Sequence, residues 1–269
     1  MSAWQSVDVL PSTIATVDYH TGGEPFRILV DPPVPFPGST VAERVTGSGD
    51  VVIDVPSGRV TARVHNQDGR VVAVDFVNVP SWVVATDAPV STSRGDVRVT
   101  VAYAGAIYAT LPAAQLGLSV RPQHLGELIA LGREIKWALN DTDHAVHPTD
   151  PRLTGIYGTI WVDELGDAAR QHQRNVTVFA DGAVDRSPCG SGTCARLAVL
   201  AAEGRLPAGT VPRHDSIVGS TSTAAVLDTI DVDGRRAVIP QVTGMAYRTG
   251  EHVFSIDPHD PLVPGFLLR

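Results

Sequence analysis

The stretch with the most reactive chemistry is Asp185 to Cys194, DRSPCGSGTC, which runs directly into ARLAVLAAEGR. Cys189 follows a proline and precedes a run of small residues, and the segment beyond is apolar nearly all round. That pattern predicts a helix buried on every side, from about Thr193 to Arg205, ended by Gly204 and Pro207. A thiol at a helix N-terminus meets unpaired backbone N–H groups and the positive end of the helix dipole, so its pKa is expected to fall. Gly190, Ser191 and Gly192 let the backbone come close to a ligand, and their N–H groups suit a carboxylate or phosphate. Asp185, four residues upstream, places a negative charge where an ammonium group would be welcome. A carboxylate cradle, an ammonium partner and a thiol describe an amino-acid site in which the thiol exchanges the α-proton. The same residues also fit a structural role. Free cysteine is among the most buried residue types, and helix N-termini are often rich in Gly and Ser for capping alone. Cys194, inside the apolar run, reads as core packing.

Other constellations are weaker. CGSGTCAR lacks the Gly-Lys-Ser/Thr ending of a phosphate loop and the third glycine of a dinucleotide fingerprint. Asp143, His144, His147 and Asp150 are metal-ligand types, but the proline-containing polar stretch around them, 141–155, reads as a solvated loop. HDS at 214–216 holds the three hydrolase residue types at adjacent positions, which cannot face one another as a triad requires.

The elements around these residues are mostly short strands. STIATVDYH (12–20), PFRILV (25–30), DVVIDV (50–55) and RVTARV (59–64) are rich in Val, Ile and Thr, with Ser57-Gly58 and Asp68-Gly69 as turns. RVVAVDFVNV (70–79), SWVVAT (81–86), DVRVTVAYAG (96–105) and AIYATL (106–111) continue the pattern. An amphipathic helix is predicted over 121–140, and strands resume at 156–163, 175–181, 224–232, 235–242 and 252–257. The prediction is a mostly antiparallel α+β protein with one helix enclosed by sheet. The chain has 269 residues, enough for two domains. With 21 Lys+Arg against 29 Asp+Glu, a net charge of −8, it offers no basic footprint for nucleic acid or an anionic membrane. No apolar run reaches the roughly 18 residues of a membrane span, and the N-terminus lacks the pattern of a signal peptide. Two cysteines five positions apart make no disulfide framework, so a cytoplasmic setting is expected.

The motifs also carry a likeness. DRSPCGSGTCARLA resembles the second catalytic motif of the proline racemase family, and VDYHTGGEPFRILV (17–30) resembles its N-terminal signature. AYAGAIYATL, YGTIWVD, HDSIVGS (214–220) and GMAYRTGEHVFSIDPHDPLVPGF (244–266) follow in the family's order. The resemblance implies a diaminopimelate epimerase-like α+β fold, two similar domains each with a sheet wrapped around a central helix. It implies chemistry on proline or a hydroxyproline with no cofactor and no metal, and a homodimer. Cys189 would be one of two opposed acid/base thiols. Gly190 and Ser191 would offer N–H groups to the substrate carboxylate, and Asp185 would hold the secondary ammonium. The family includes proline racemases, hydroxyproline epimerases and trans-3-hydroxy-L-proline dehydratases. The dehydratases are expected to carry a small polar or acidic residue, usually threonine, in place of this cysteine, so Cys189 favours the racemase or epimerase branch.

One departure matters. The family's first thiol lies in a CGHG-like motif at the start of the first domain's central helix. Here GSTVAERV (38–45) passes directly to TGSGDVVIDVPSGRV (46–60). Before residue 112 the only helix-like stretch is TVAERV, so the strands there lack a helix to wrap. The expected domains are therefore a truncated first one without its central helix, 1–82 plus 255–269, and a second, 83–254, carrying Cys189. A lone thiol removes and returns a proton on one face of Cα, which is exchange without inversion. The expectation is an impaired racemase or epimerase, with an inactive member or a dehydratase as the alternatives.

Overall fold

The computed structural model of the protein describes residues 13–30, 49–167, 171–207, 209–257 and 259–262. The helix-like stretch at 40–45 lies outside them. The chain divides into two compact units, Met1–Thr21 with Pro25–Glu43 and Ala246–Arg269, and Gly22–Glu24 with Arg44–Met245.

The first unit is built on a three-stranded sheet. Its members are β1 (Thr13–Thr21), β2 (Glu24–Leu29, of which Glu24 belongs to the other unit) and β15 (Ala246–Ser255), in the order β15–β1–β2. β1 and β15 pair antiparallel from Thr13 opposite Ser255 to Thr21 opposite Ala246. Arg27 bridges to Asp18 at 2.7 Å and lies over the Phe254 ring.

Among its described residues the second unit holds one long sheet and two α-helices. A meander of β3 (Gly49–Val55), β4 (Gly58–Gln67) and β5 (Arg70–Val77) joins it through β14 (Arg235–Gly244). The sheet continues through β13 (Thr221–Val232), β12 (Arg213–Ser216), β10 (His172–Phe179) and β9 (Ile156–Glu164). It ends with β8 (Ile107–Pro112), β7 (Gly95–Tyr103) and β6 (Trp82–Thr92), and β11 (Ala183–Asp185) pairs with β10. Two neighbouring pairs run parallel, β8 with β9 and β10 with β12. Parallel neighbours need a long crossover, usually a helix. Each crossover here supplies one: α1 (Leu125–Asn140) between β8 and β9, and α2 (Gly190–Ala202) between β10 and β12.

Strand alternation sends successive side chains to opposite faces. Val97, Val99, Val101 and Tyr103 of β7 pack in one cluster with Leu128, Leu131, Ile135 and Leu139 of α1. Ala102 and Tyr108 pack in another with Cys194, Ala195, Leu197 and Val199 of α2. The central strands are thus apolar on both faces because each face carries a helix. α1 comes close to the sheet at Gly132, where a Cβ would lie 3.1 Å from both Trp161 Nε1 and Val178 Cβ. There the Trp161 indole donates to Leu128 O at 2.9 Å and the Thr159 hydroxyl to Gly132 O at 2.8 Å.

Two helix boundaries differ from expectation. α1 begins at Leu125, after a 3-10 turn over Pro122–His124. α2 spans Gly190–Ala202, starting and ending three residues early, because Cys189 itself turns the chain into the helix. At its end Gly204 takes φ 69°, with Gly204 N–H on Ala201 O and Arg205 N–H on Leu200 O, a Schellman-type stop. Among the described residues no α-helix precedes Leu125, and no helix is long and apolar enough to cross a membrane.

Candidate active site

β10 turns Gln173, Asn175 and Thr177, all fully buried, to one face at alternate positions. β11 pairs with the end of the same strand and sets Asp185 opposite Thr177. From Asp185 three residues lead to the thiol. Asp185 Oδ1 accepts the Ser187 N–H at 2.8 Å and its hydroxyl at 2.7 Å. Ser187 Oγ accepts the Cys189 N–H at 3.0 Å. Pro188 O receives Asn175 Nδ2 at 2.6 Å and the Thr193 hydroxyl at 3.0 Å.

These bonds hold Cys189 at φ 64°, ψ 112°, a conformation that L-residues rarely adopt. It costs roughly 1–3 kcal/mol and persists only where the surroundings over-determine it. Strain kept by so many side chains favours the functional reading over simple capping. As N-cap of α2, Cys189 accepts the Gly192 N–H on Sγ at 3.3 Å and the Thr193 N–H on its carbonyl at 2.8 Å. A Cβ on Gly192 would meet Sγ at 2.9 Å, so only glycine fits. The N–H groups of Gly190 and Ser191 belong to the unpaired first turn and meet no acceptor among the described residues. Ser191 Oγ bonds the buried Tyr108 hydroxyl at 2.6 Å, and Phe76 lies against Gly190.

The thiol's electrostatics correct the expectation from sequence. Cys189 is 7% exposed. Burial pushes its pKa up to about 12, and the Asp185 charge pushes the same way. The Thr177 hydroxyl and the Gly192 N–H pull it back without prevailing. One helix-terminal N–H does not outweigh a dry site beside a carboxylate. That balance favours the neutral thiol over the thiolate. Thr177 Oγ1 is buried and bonds nothing else, which leaves it available to the sulfur.

Gly22, Gly23 and Glu24 pack against the same loop. Ser220 Oγ donates to Gly22 O at 2.6 Å, and Glu24 Oε2 accepts the Arg186 N–H at 2.9 Å. At φ 57°, a Cβ on Gly22 would be 2.9 Å from Ser220 Oγ and 3.1 Å from Ser187 Cβ. Tyr157, half exposed, stacks on Phe179 at 5.7 Å and meets the Tyr108 ring edge-on at 5.5 Å. Burial raises its pKa first, and the charges of Asp185 and Glu24 add to the rise.

Of the residues singled out from sequence, Asp185, Cys189, Gly190 and Ser191 come together around one helix terminus. Cys194 is fully buried in the α2 cluster. His214, Asp215 and Ser216 do not form a triad: Asp215 pairs with His172 and Arg213, and Ser216 bonds Ser220. The loop 141–155, read as a solvated surface, is exposed or half-buried at most positions, but His147 is buried with its ring against Trp82 and Tyr103. No three His, Cys, Asp or Glu side chains among the described residues are placed to hold a metal ion. Sequence reasoning missed Asn175, Thr177, Tyr108 and Tyr157. For the first two a signal existed: in QRNVTVF polar residues alternate with apolar ones on a strand buried on both faces.

The chain matches the family model described as proline racemase over residues 45–267. A trans-3-hydroxy-L-proline dehydratase of Bacillus thuringiensis subsp. konkukian is 41% identical over 226 residues, covering 83% of this chain and 67% of that protein. A 4-hydroxyproline 2-epimerase of Streptosporangium roseum is 36% identical over 229 residues, covering 85% and 67%. The chain spans about two-thirds of the length of the curated relatives it matches. Among solved structures, a hydroxyproline epimerase from Agrobacterium vitis with bound trans-4-hydroxy-L-proline superposes with a TM-score of 0.82 at 28% identity, covering 96% of this chain and 95% of that one. The mostly β architecture with two helices is the α+β fold of these proteins. On its sequence and its fold alike, the chain belongs to the proline racemase family.

Proposed function

We propose that Cys189 exchanges the α-proton of proline or 4-hydroxyproline without a cofactor, as one half of a racemase or epimerase pair. The carrying observation is the thiol held at a strained N-cap, with the N–H groups of Gly190 and Ser191 unpaired beside it and Asp185 two hydrogen bonds away through Ser187. The substrate carboxylate takes the two N–H groups and the secondary ammonium takes Asp185. Neutralising Asp185 removes one cause of the raised thiol pKa, so substrate binding itself favours the thiolate. Once its own proton has passed to solvent, the thiolate accepts the α-proton, and the electron pair delocalises into the carboxylate held at the helix terminus. Return of the proton from the same sulfur restores the original configuration.

Inversion needs an acid on the opposite face of Cα. The chain has two cysteines, and Cys194 is in the core. The reading is therefore of a first domain shortened between Val45 and Thr46, and the family match beginning at residue 45 supports it. The domains 1–82 with 255–269, and 83–254, belong to this proposal, as does a site impaired in inversion. A dehydratase reading is favoured by the 41% identity to the Bacillus protein and by elimination requiring no inversion.

Incubation with L-proline and the hydroxyproline isomers in D2O, followed by NMR and chiral chromatography, tests all of this. Exchange at Cα with retained configuration, abolished by Cys189→Ser, is the expected result. Exchange with inversion would demand a second acid and overturn the one-sided reading. A pyrroline product from trans-3-hydroxy-L-proline would select the dehydratase, and no exchange would mark an inactive member.

A further inference from the structure

The Ser191 N–H, one of the two donors beside the thiol, belongs to the stretch of α2 with the fewest side chains to anchor it. The first turn reads Gly190-Ser191-Gly192, and its two glycines leave the backbone free to take other conformations. Gly192 is tied by its N–H to Cys189 Sγ at 3.3 Å, and Gly190 has the Phe76 ring beside it. Ser191 is tied through its side chain: its Oγ lies 2.6 Å from the Tyr108 hydroxyl, 83 positions away in sequence. Neither hydroxyl has another hydrogen-bond partner among the described residues. Tyr108 is a firm anchor. It is 1% exposed and stands in β8, with Ala102 of β7 on one side and Gly158 of β9 on the other. Its ring meets that of Tyr157 edge-on at 5.5 Å. Burial pushes its pKa well above the ordinary phenol value, so it stays neutral and keeps this bond around neutral pH.

We propose that Tyr108 is the positioning residue of the carboxylate cradle. By holding Ser191 Oγ it fixes the Gly190–Ser191 peptide, whose N–H must converge with that of Gly190 on the substrate carboxylate. The inference rests on the proposed reading of those two N–H groups as carboxylate donors. A donor aimed before the ligand arrives needs no ordering on binding, so the tether contributes affinity although Tyr108 itself touches no substrate. Its effect falls on one end of the ligand only. The ammonium end belongs to Asp185, which is set by β11 and by Ser187 rather than by the first turn of α2. Loss of the tether therefore weakens recognition of the carboxylate and spares recognition of the ring and the ammonium group.

The test is an NMR titration of the full chain with two probes, L-proline and L-prolinamide, the second keeping the ring and the ammonium group but not the carboxylate. Tyr108→Phe keeps the buried ring and removes the hydroxyl. Ser191→Ala removes the tether from the other side and keeps the N–H donor. Each should weaken L-proline about tenfold and leave L-prolinamide within about twofold. The double variant should bind L-proline no more weakly than either single one, because both substitutions delete the same bond. Ser191→Ala, at a half-buried position, carries the same test if loss of the Tyr108 hydroxyl unfolds the chain. An equal loss for L-prolinamide would mark general damage to the site and overturn the positioning role. Losses that multiply in the double variant would mean two independent roles and overturn it as well. Unchanged preference for L-proline in the single variants would overturn it while leaving the proposed site intact. L-Proline bound no better than L-prolinamide by the unaltered protein would instead remove the cradle, and with it both readings.

Discussion

The sulfur of Cys189 accepts a single backbone N–H and lies near a carboxylate that a substrate ammonium would neutralise. Thr177 is the other group able to favour its charged form, since the buried hydroxyl bonds nothing else. Hydrogen bonds to charged groups contribute about 1.5–3 kcal/mol, so Thr177→Val should slow exchange roughly 10- to 100-fold. Thr177→Ser should restore most of it. Thiolate absorbance followed against pH checks the cause: the valine variant should titrate at higher pH than the protein itself, and the serine variant close to it. Asp185→Asn should move the substrate-free titration the opposite way while weakening substrate binding. The identity of the thiol was legible in the small residues after Cys189, but its charge state was not. That depends on burial and the Asp185 charge outweighing the Gly192 N–H and the hydroxyl of Thr177, a residue 12 positions upstream whose approach to the sulfur only the fold sets.

The elements were more legible than their ends. Alternating Val marked β4 and β7, and the all-round apolar run marked α2, because burial of one strand face or of every helix face leaves those signatures in composition. The early start of α2 was hidden, since its first turn consists of Gly and Ser and is fixed by side chains on β10. The approach of α1 to the sheet supplies a paired test. Gly132→Ala gains roughly 1 kcal/mol of helix propensity but drives a methyl against Trp161 and Val178, and overpacking of this kind costs about 1–3 kcal/mol. Trp161 is tied to Leu128 O and Val178 is held within β10, so a net loss is expected. Gly126→Ala, in the same helix with nothing within 4 Å of its Cβ, should instead gain a few tenths to about 1 kcal/mol. Urea unfolding of the two variants reads both signs. A stabilised Gly132→Ala would mean that the sheet yields at this contact.

At the scale of the whole molecule, acid stability hangs on a residue that sequence reasoning set aside. His214 is fully buried, neither ring nitrogen has a partner, and burial, aided by Arg196 and His172, holds its pKa down at about 3. The folded state keeps this imidazole neutral while the unfolded chain protonates it below about 6.5. Stability is therefore intact above that pH and falls by about 1.4 kcal/mol per unit as pH drops toward 3. His214→Leu should flatten the curve between about pH 6 and the carboxylate range near 4, as urea titrations at successive pH values would show. An unchanged slope would place the acid sensitivity elsewhere. The long sheet has a different consequence, for synthesis. β5 finds its partner in β14, Val77 opposite Gln241 and Phe76 opposite Val242. At ribosomal speeds of roughly 5–20 residues per second, β14 is made some ten to thirty seconds after β5. Through that interval the nascent chain carries an open strand edge, so early-terminated products should depend on chaperones in a way that the finished chain does not.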